Sequence, residues 1–221
     1  ENVCDDGTEF SVDGDENKLC LYMRILQGLP TTKVKTTTAG AGLDAPEEIA
    51  SIPENTVYPK GSSENADMFN MISTQIPYYY GGQCTDFVWW RFKLQYGLDT
   101  GGGNGRAVAS NTAARYPDKF ELVSINLDNY TQVDESYAGS IISQLFAHQP
   151  SGACKTQDSV GHVLFLEKVD TSSGEPIIWY SEGNYGASAY GAIRINMKQS
   201  LHDFLIARCN SIELCAPVNV S

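Results

Sequence analysis

Two β-rich runs, GHVLFLEKVD (161–170) and EPIIWYSEGNY (175–185), are separated only by the turn residues TSSG. Runs of this length on so short a turn fold back as an antiparallel hairpin, because a parallel return needs a crossover of about a dozen residues or more. The hairpin constrains everything around it. FELVSIN (120–126) and AIRINM (192–197) read as further strands, and DESYAGSIISQLF (134–146) as a turn followed by a strand. TDFVWWRFKLQYG (85–97) reads as a helix, with Phe87, Trp90 and Leu94 beside a stripe of Val88, Phe92 and Gln95, and Gly97 as its stop. GGGNGRAVASNTAARY (101–116) is a glycine run leading into a short helix, and LHDFLIAR (201–208) a short helix or strand end. A helix first and a sheet afterwards predict an α+β domain.

The flanks differ in texture. Residues 1–30 read as a small cysteine-bearing appendage, in which LCLYMRILQGL (19–29) has helical spacing and a glycine stop. Residues 31–63, rich in Thr, Ala, Gly and Pro, read as a linker. The compact domain is expected over 64–208 and a tail over 209–221. No internal repeat is present, and no apolar run approaches the roughly 20 residues of a membrane-spanning helix.

A formal charge of −12 and a pI of about 4.6 exclude nucleic acid as the expected partner, since phosphate binding needs clustered Lys and Arg. His148, His162 and His202 are too scattered for a metal box, and no phosphate loop or dinucleotide fingerprint occurs. SVDGDENK (11–18), with Asp13, Asp15 and Glu16, has calcium-loop character but lacks the glycine and glutamate that complete such a loop. Neither a metal nor a cofactor is expected. Cys4 and Cys20, then Cys209 and Cys215, suggest an oxidising, extracytoplasmic setting, with Cys4–Cys20 and Cys209–Cys215 as the simplest pairings among three connectivities. The chain, beginning at Glu1 without an apolar leader, reads as a mature or trimmed product, so export rests on the cysteines alone.

The candidate chemistry centres on GGQCTDF (81–87). Cys84 falls at the first turn of the 85–96 helix, where unpaired N–H groups and the helix dipole favour a thiolate. Gly81 and Gly82 allow a tight turn and leave room for substrate. The competing reading is a buried or disulfide-bonded cysteine. A thiolate nucleophile needs a base, and the base an orienting partner. With the hairpin turn near Ser172–Gly174, His162 lies opposite Asn184 and Leu164 opposite Glu182, so that His162, Glu182 and Asn184 share a face. Glu182 or Asn184 then takes the Nδ1 proton, and Nε2 serves the thiol. A slip of one residue breaks this alignment.

YYYGGQCTDFVWWR, AGSIISQ, GHVLFLEKVD and YSEGNY, in this order, resemble the CHAP domain, the cysteine- and histidine-dependent amidohydrolase/peptidase family of papain-like α+β cysteine hydrolases. The resemblance covers about 65–208. It implies a nucleophile helix packed on an antiparallel sheet, with Cys84 as nucleophile, His162 as base, and Glu182 and Asn184 as the orienting pair. Gln83 matches the glutamine before the nucleophile; Gln83 and Tyr80 are substrate or oxyanion candidates beside the backbone N–H groups around Cys84. Tyr78, Tyr79 and Tyr80 either line a substrate groove or pack, while Trp89 and Trp90 read as core and His148 and His202 as structural or solvated.

Two departures stand out. FAHQPSGACKTQDSV (146–160) is a long insertion carrying Cys154, whose bonding to Cys84 would silence the site; a terminal cysteine as its partner, or a free thiol, is the other reading. NMISTQIPYYY (70–80) lacks the aspartates by which some relatives bind calcium.

The resemblance implies a secreted or cell-surface hydrolase of peptidoglycan amide bonds that needs no cofactor. The cut is either in stem peptide or cross-bridge, the preferred reading, or between N-acetylmuramic acid and L-alanine. Division, lysis and wall opening for a conjugative secretion apparatus, with other wall or secretion proteins as partners, are all compatible settings. The alternatives are a silent wall-binding or assembly module on the same fold, and an amidase of small soluble amides.

Overall fold

The computed structural model describes residues 51–145, 160–185 and 191–218, together with Ile49 and the backbone of two short paired strands, β1 (Asn2–Val3) and β2 (Glu9–Phe10). Seven further strands form one antiparallel sheet. Across it lie β3 (Thr56–Tyr58), β8 (Ala192–Ser200), β7 (Ile177–Tyr185), β6 (His162–Asp170), β5 (Ile141–Gln144), β9 (Ser211–Pro217) and β4 (Phe120–Asn126). Among the described residues there are four α-helices: α1 (Ser63–Gln75), α2 (Cys84–Tyr96), α3 (Val108–Arg115) and α4 (Leu201–Ala207). The class is α+β.

Both faces of the sheet are covered, and side-chain alternation divides the core between them. Val163, Phe165, Ile193 and Ile195 join Phe87, Trp90 and Phe92 of α2 and Met68 and Ile72 of α1. Leu164, Leu166, Ile178 and Tyr180 join Leu201, Phe204 and Leu205 of α4 on the other side. Trp89 and Trp90 are buried, as read, and their indole N–H groups donate to Asp99 and Gln75. The helix α2 lies against β6 and β7 and ends at Gly97, whose left-handed φ of 66° closes it.

Three elements lie where the sequence suggested none. The strand β3 falls in the linker-like stretch and pairs with β8. The helix α1 starts at the end of that stretch, capped by Ser62, whose hydroxyl accepts from the Asn65 N–H. The strand β9 falls in the expected tail, yet it runs inside the sheet between β5 and β4. Cys215 on β9 is a free buried thiol, so the Cys209–Cys215 pairing is not formed; burial pushes its thiol up to about 12. Cys4, Cys20, Cys154, His148, the 11–18 acidic stretch and the 19–29 segment lie outside the described residues.

The hairpin register decides the site. β6 and β7 pair Phe165 with Ser181 and Leu166 with Tyr180, the phase expected from a turn near Ser172–Gly174. An irregularity at Glu167 shifts the phase toward the turn, where Lys168 faces Trp179. That phase holds up to the Phe165–Ser181 pair; beyond it β7 is irregular against β8 and Asn184 takes a left-handed φ of 54°, so His162 meets Glu182 while Asn184 bonds Gln83 instead.

Candidate active site

Cys84 is the first residue of α2 and His162 the first of β6. The loop before Cys84 is fixed from within the helix. Asp86 is wholly buried and accepts three backbone N–H groups, from Tyr80 at 3.0 Å on Oδ1 and from Gly82 at 2.9 Å and Gln83 at 2.8 Å on Oδ2. A carboxylate at the third helical position reaching back to the N-cap is the acidic half of a capping box. Here it also binds the chain one and three residues further back, at Gly82 and Tyr80, across the turn made by Gly81 and Gly82. The sulfur position is thus set by the helix and the clamp together.

Cys84 is a free thiol with 9% of its surface exposed, so the silencing Cys84–Cys154 bond does not occur in this structure. Burial raises the thiol pKa, but the charge and hydrogen bond of His162, with backbone N–H groups of Val163 and Thr85, bring it below the ordinary thiol value.

His162 Nε2 lies 2.8 Å from Glu182 Oε2. The other ring nitrogen, Nδ1, is therefore the one left for the Cys84 sulfur. This reverses the expected assignment, in which Nε2 served the thiol. The ring enters from the start of a strand, so the nitrogen nearer its own backbone meets the helix terminus and the distal one meets the neighbouring strand. Desolvation alone lowers the imidazole pKa; the Cys84 charge and hydrogen bond, then those of Glu182, reverse this and raise it to about 9.

Glu182 has no exposed surface. Burial disfavours its charge, yet Arg208, His162 and Arg194 outweigh that cost and hold its carboxyl at about 2. Arg194 Nη1 donates to Oε1 at 2.9 Å from the facing position on β8. Arg208, which caps α4, donates through Nη2 to Oε1 at 3.3 Å and Oε2 at 3.2 Å, and through Nη1 to Gln144 Oε1 at 2.9 Å.

Of the two residues expected behind the imidazole, Glu182 takes its N–H while Asn184 turns its amide to Gln83. Asn184 Nδ2 donates to Gln83 Oε1 at 3.0 Å, and its own oxygen accepts from the Gly191 N–H. With Oε1 engaged, the Gln83 side chain has its NH₂ to offer a ligand beside Cys84. Gly183, between Glu182 and Asn184, lets β7 rest on α2: a Cβ there would come within 2.6 Å of the Phe87 Cβ. Tyr78 and Tyr80 are 68% and 65% exposed; Tyr78 leans on the Trp89 ring, with centroids 6.3 Å apart, while Tyr80 stands in solvent. His202 is half-buried, its ring 5.5 Å from that of Tyr130 and its Nδ1 beside Asp203, away from Cys84.

Nothing in the residue pattern marks Arg194 or Arg208 as part of this site. Arg194 lies between the core residues Ile193 and Ile195 and reads as solvent-facing; Arg208 reads as a basic residue suiting a helix C-terminus. Asp86 did carry a signal, the three-residue spacing from Gln83.

A thiol at a helix N-terminus, an imidazole and a buried carboxylate, arranged in series, form the donor set of a nucleophilic hydrolase. The family model of the CHAP domain matches residues 73–184, just over half of the chain, from the end of α1 through Asn184. The protein belongs to the CHAP domain family, whose members act as amidases and endopeptidases on peptidoglycan. No curated protein and no solved structure matches the chain. No helix among the described residues is long and apolar enough to cross a membrane.

Proposed function

We propose that this chain is an extracytoplasmic cysteine hydrolase that cuts an amide bond in peptidoglycan stem peptides or cross-bridges. The observation that carries the reading is the unbroken series from free Cys84 through His162 to buried Glu182. On this reading the domain works in the papain manner. The Cys84 thiolate attacks the amide carbonyl, and the carbonyl oxygen becomes an oxyanion beside the Gln83 amide and the backbone N–H of Cys84. His162 passes the Nδ1 proton to the departing amine, leaving a thioester on Cys84. Neutral His162 then takes a proton from water, which attacks the thioester and restores the thiol. Tyr80, exposed at the entrance to this loop, contacts substrate.

A cut between N-acetylmuramic acid and L-alanine uses the same chemistry and differs only in what the cleft accepts. Secretion, with other wall or secretion-apparatus proteins as partners, follows from the substrate. Digestion of purified peptidoglycan by this chain and by Cys84→Ala, with products identified by mass spectrometry, tests the proposal. New amino termini lost in the variant support it and name the bond. No release by either protein, across several cross-bridge types and under mild reduction, overturns it in favour of a wall-binding module.

A further inference from the structure

The described family match stops at Asn184, yet the carboxylate of the site is held by two residues beyond it, Arg194 and Arg208. We propose that Arg208, assisted by Arg194, is a positioning residue that pins Glu182 as a bare carboxylate, so that Glu182 aims the His162 imidazole without taking its proton. This rests on the hydrolase reading, whose chemistry requires the proton to leave His162 toward the substrate amine.

The geometry carries the argument. Glu182 is wholly buried and Arg208 is 3% exposed, so water cannot supply the charge compensation that a buried carboxylate requires. Arg208 bridges both Glu182 oxygens and anchors its other nitrogen on Gln144, the residue of β5 that pairs with His162. One guanidinium thus ties together the two strands flanking the imidazole. A planar fork suits this bridging in a way that a lysine ammonium does not. The charged or titratable groups facing Glu182 are His162 from β6, Arg194 from β8, Arg208 after α4 and Tyr180 on β7; Cys84 of α2 lies beyond His162. Gln144 from β5 is neutral. Without Arg208, the uncompensated carboxylate draws the imidazole proton more strongly and makes His162 a poorer acid toward the leaving amine.

The test is an NMR titration of His162 in the full chain, which contains only three histidines, combined with peptide-release kinetics. Arg208→Met is expected to raise the His162 midpoint by about one unit. It should lower kcat by about tenfold or more with KM nearly unchanged. Arg208→Lys, which keeps a buried cation, should restore the midpoint but only part of the rate. Arg91→Met, which breaks the buried Arg91–Glu167 pair between α2 and β6, is the structural control: it should lower stability and leave the titration in place. An unshifted His162 in folded Arg208→Met overturns the proposal. If that variant does not fold, Arg194→Gln decides by the same readout, since the Arg194 side chain is 22% exposed and more tolerant of change; an upward shift supports the proposal, no shift overturns it. Failure of the wild-type chain to release peptide would overturn the hydrolase reading, while the titration still judges the role of Arg208.

Discussion

Replacing Asp86 by asparagine changes one heavy atom and reverses the hydrogen-bonding sense of half the side chain. Both carboxylate oxygens accept in the native site, Oδ2 from the Gly82 and Gln83 N–H groups and Oδ1 from that of Tyr80. An amide has one acceptor. Its best orientation keeps the oxygen on Gly82 and Gln83 and sets its NH₂ against the Tyr80 N–H, donor against donor. Hydrogen bonds to a charged group contribute about 1.5–3 kcal/mol each and neutral ones about 0.5–1.5, so the two survivors weaken by about 1 kcal/mol apiece. The orphaned donor adds about 1–3 kcal/mol, giving about 3–5 kcal/mol in all, less whatever the loop recovers by opening to water. In a domain stable by about 5–15 kcal/mol that is a large fraction. Urea denaturation should show this loss. Mass-spectrometric alkylation of Cys84 in the still-folded variant should show a slower, less pH-sensitive thiol, because the sulfur and Gln83 have lost their anchor. An Asp86→Asn variant within about 0.5 kcal/mol of wild type, with unchanged Cys84 alkylation, would refute the clamp argument.

The ionisation pattern makes a second prediction. Alkylation of Cys84 and peptide release should begin below the ordinary thiol range, and release should fall as pH rises through about 9, where His162 loses the proton it donates. The stability terms have opposite signs: the His162 contribution is full below its unfolded value of about 6.5 and lost as pH rises through about 9, while that of Glu182 is present above 4.5 and lost as pH falls through about 2. Chemical denaturation across that range checks both. Glu182→Gln leaves the Arg208 guanidinium buried without its anion and should cost about 3–5 kcal/mol in urea denaturation as well as activity. Gly183→Ala should push β7 away from Phe87, costing about 1–3 kcal/mol and slowing release by separating the two halves of the site.

What the sequence discloses here is what sits within one turn or one hairpin. The α2 helix announces itself through apolar spacing and Gly97, and its first residue through GGQC. The hairpin register is equally local, since a short turn fixes the phase that brings His162 to Glu182. Three features lie beyond that range. TVY is too short to show a period, and SIELCAP alternates only over Ser211–Leu214 before Cys215 and Ala216 break the contrast; only the sheet's order shows that β9 belongs inside it. Arg208 and Arg194 carry no local mark at all, because a basic side chain looks solvent-bound until its carboxylate is placed. The nitrogen assignment on His162 also depends on the ring's direction of approach, which no residue pattern specifies.

The charges in this site explain one another only as a row. With Cys84 as thiolate and His162 as imidazolium, the charges of Cys84, His162, Glu182 and Arg208 alternate in sign from the start of α2 to the end of α4, with Arg194 at the side. A buried carboxylate facing an imidazolium alone would compete with the departing amine for its proton and make His162 a poorer acid. Two guanidiniums remove that competition by making protonated Glu182 the costly form. The carboxylate can then be strong enough to orient the ring and too weakly basic to neutralise it. On the proposed reading the surrounding fold separates the roles: α2 would contribute the nucleophile, the β6–β7 hairpin the proton carrier and its guide, and β8 with the segment after α4 the cations that keep the guide charged.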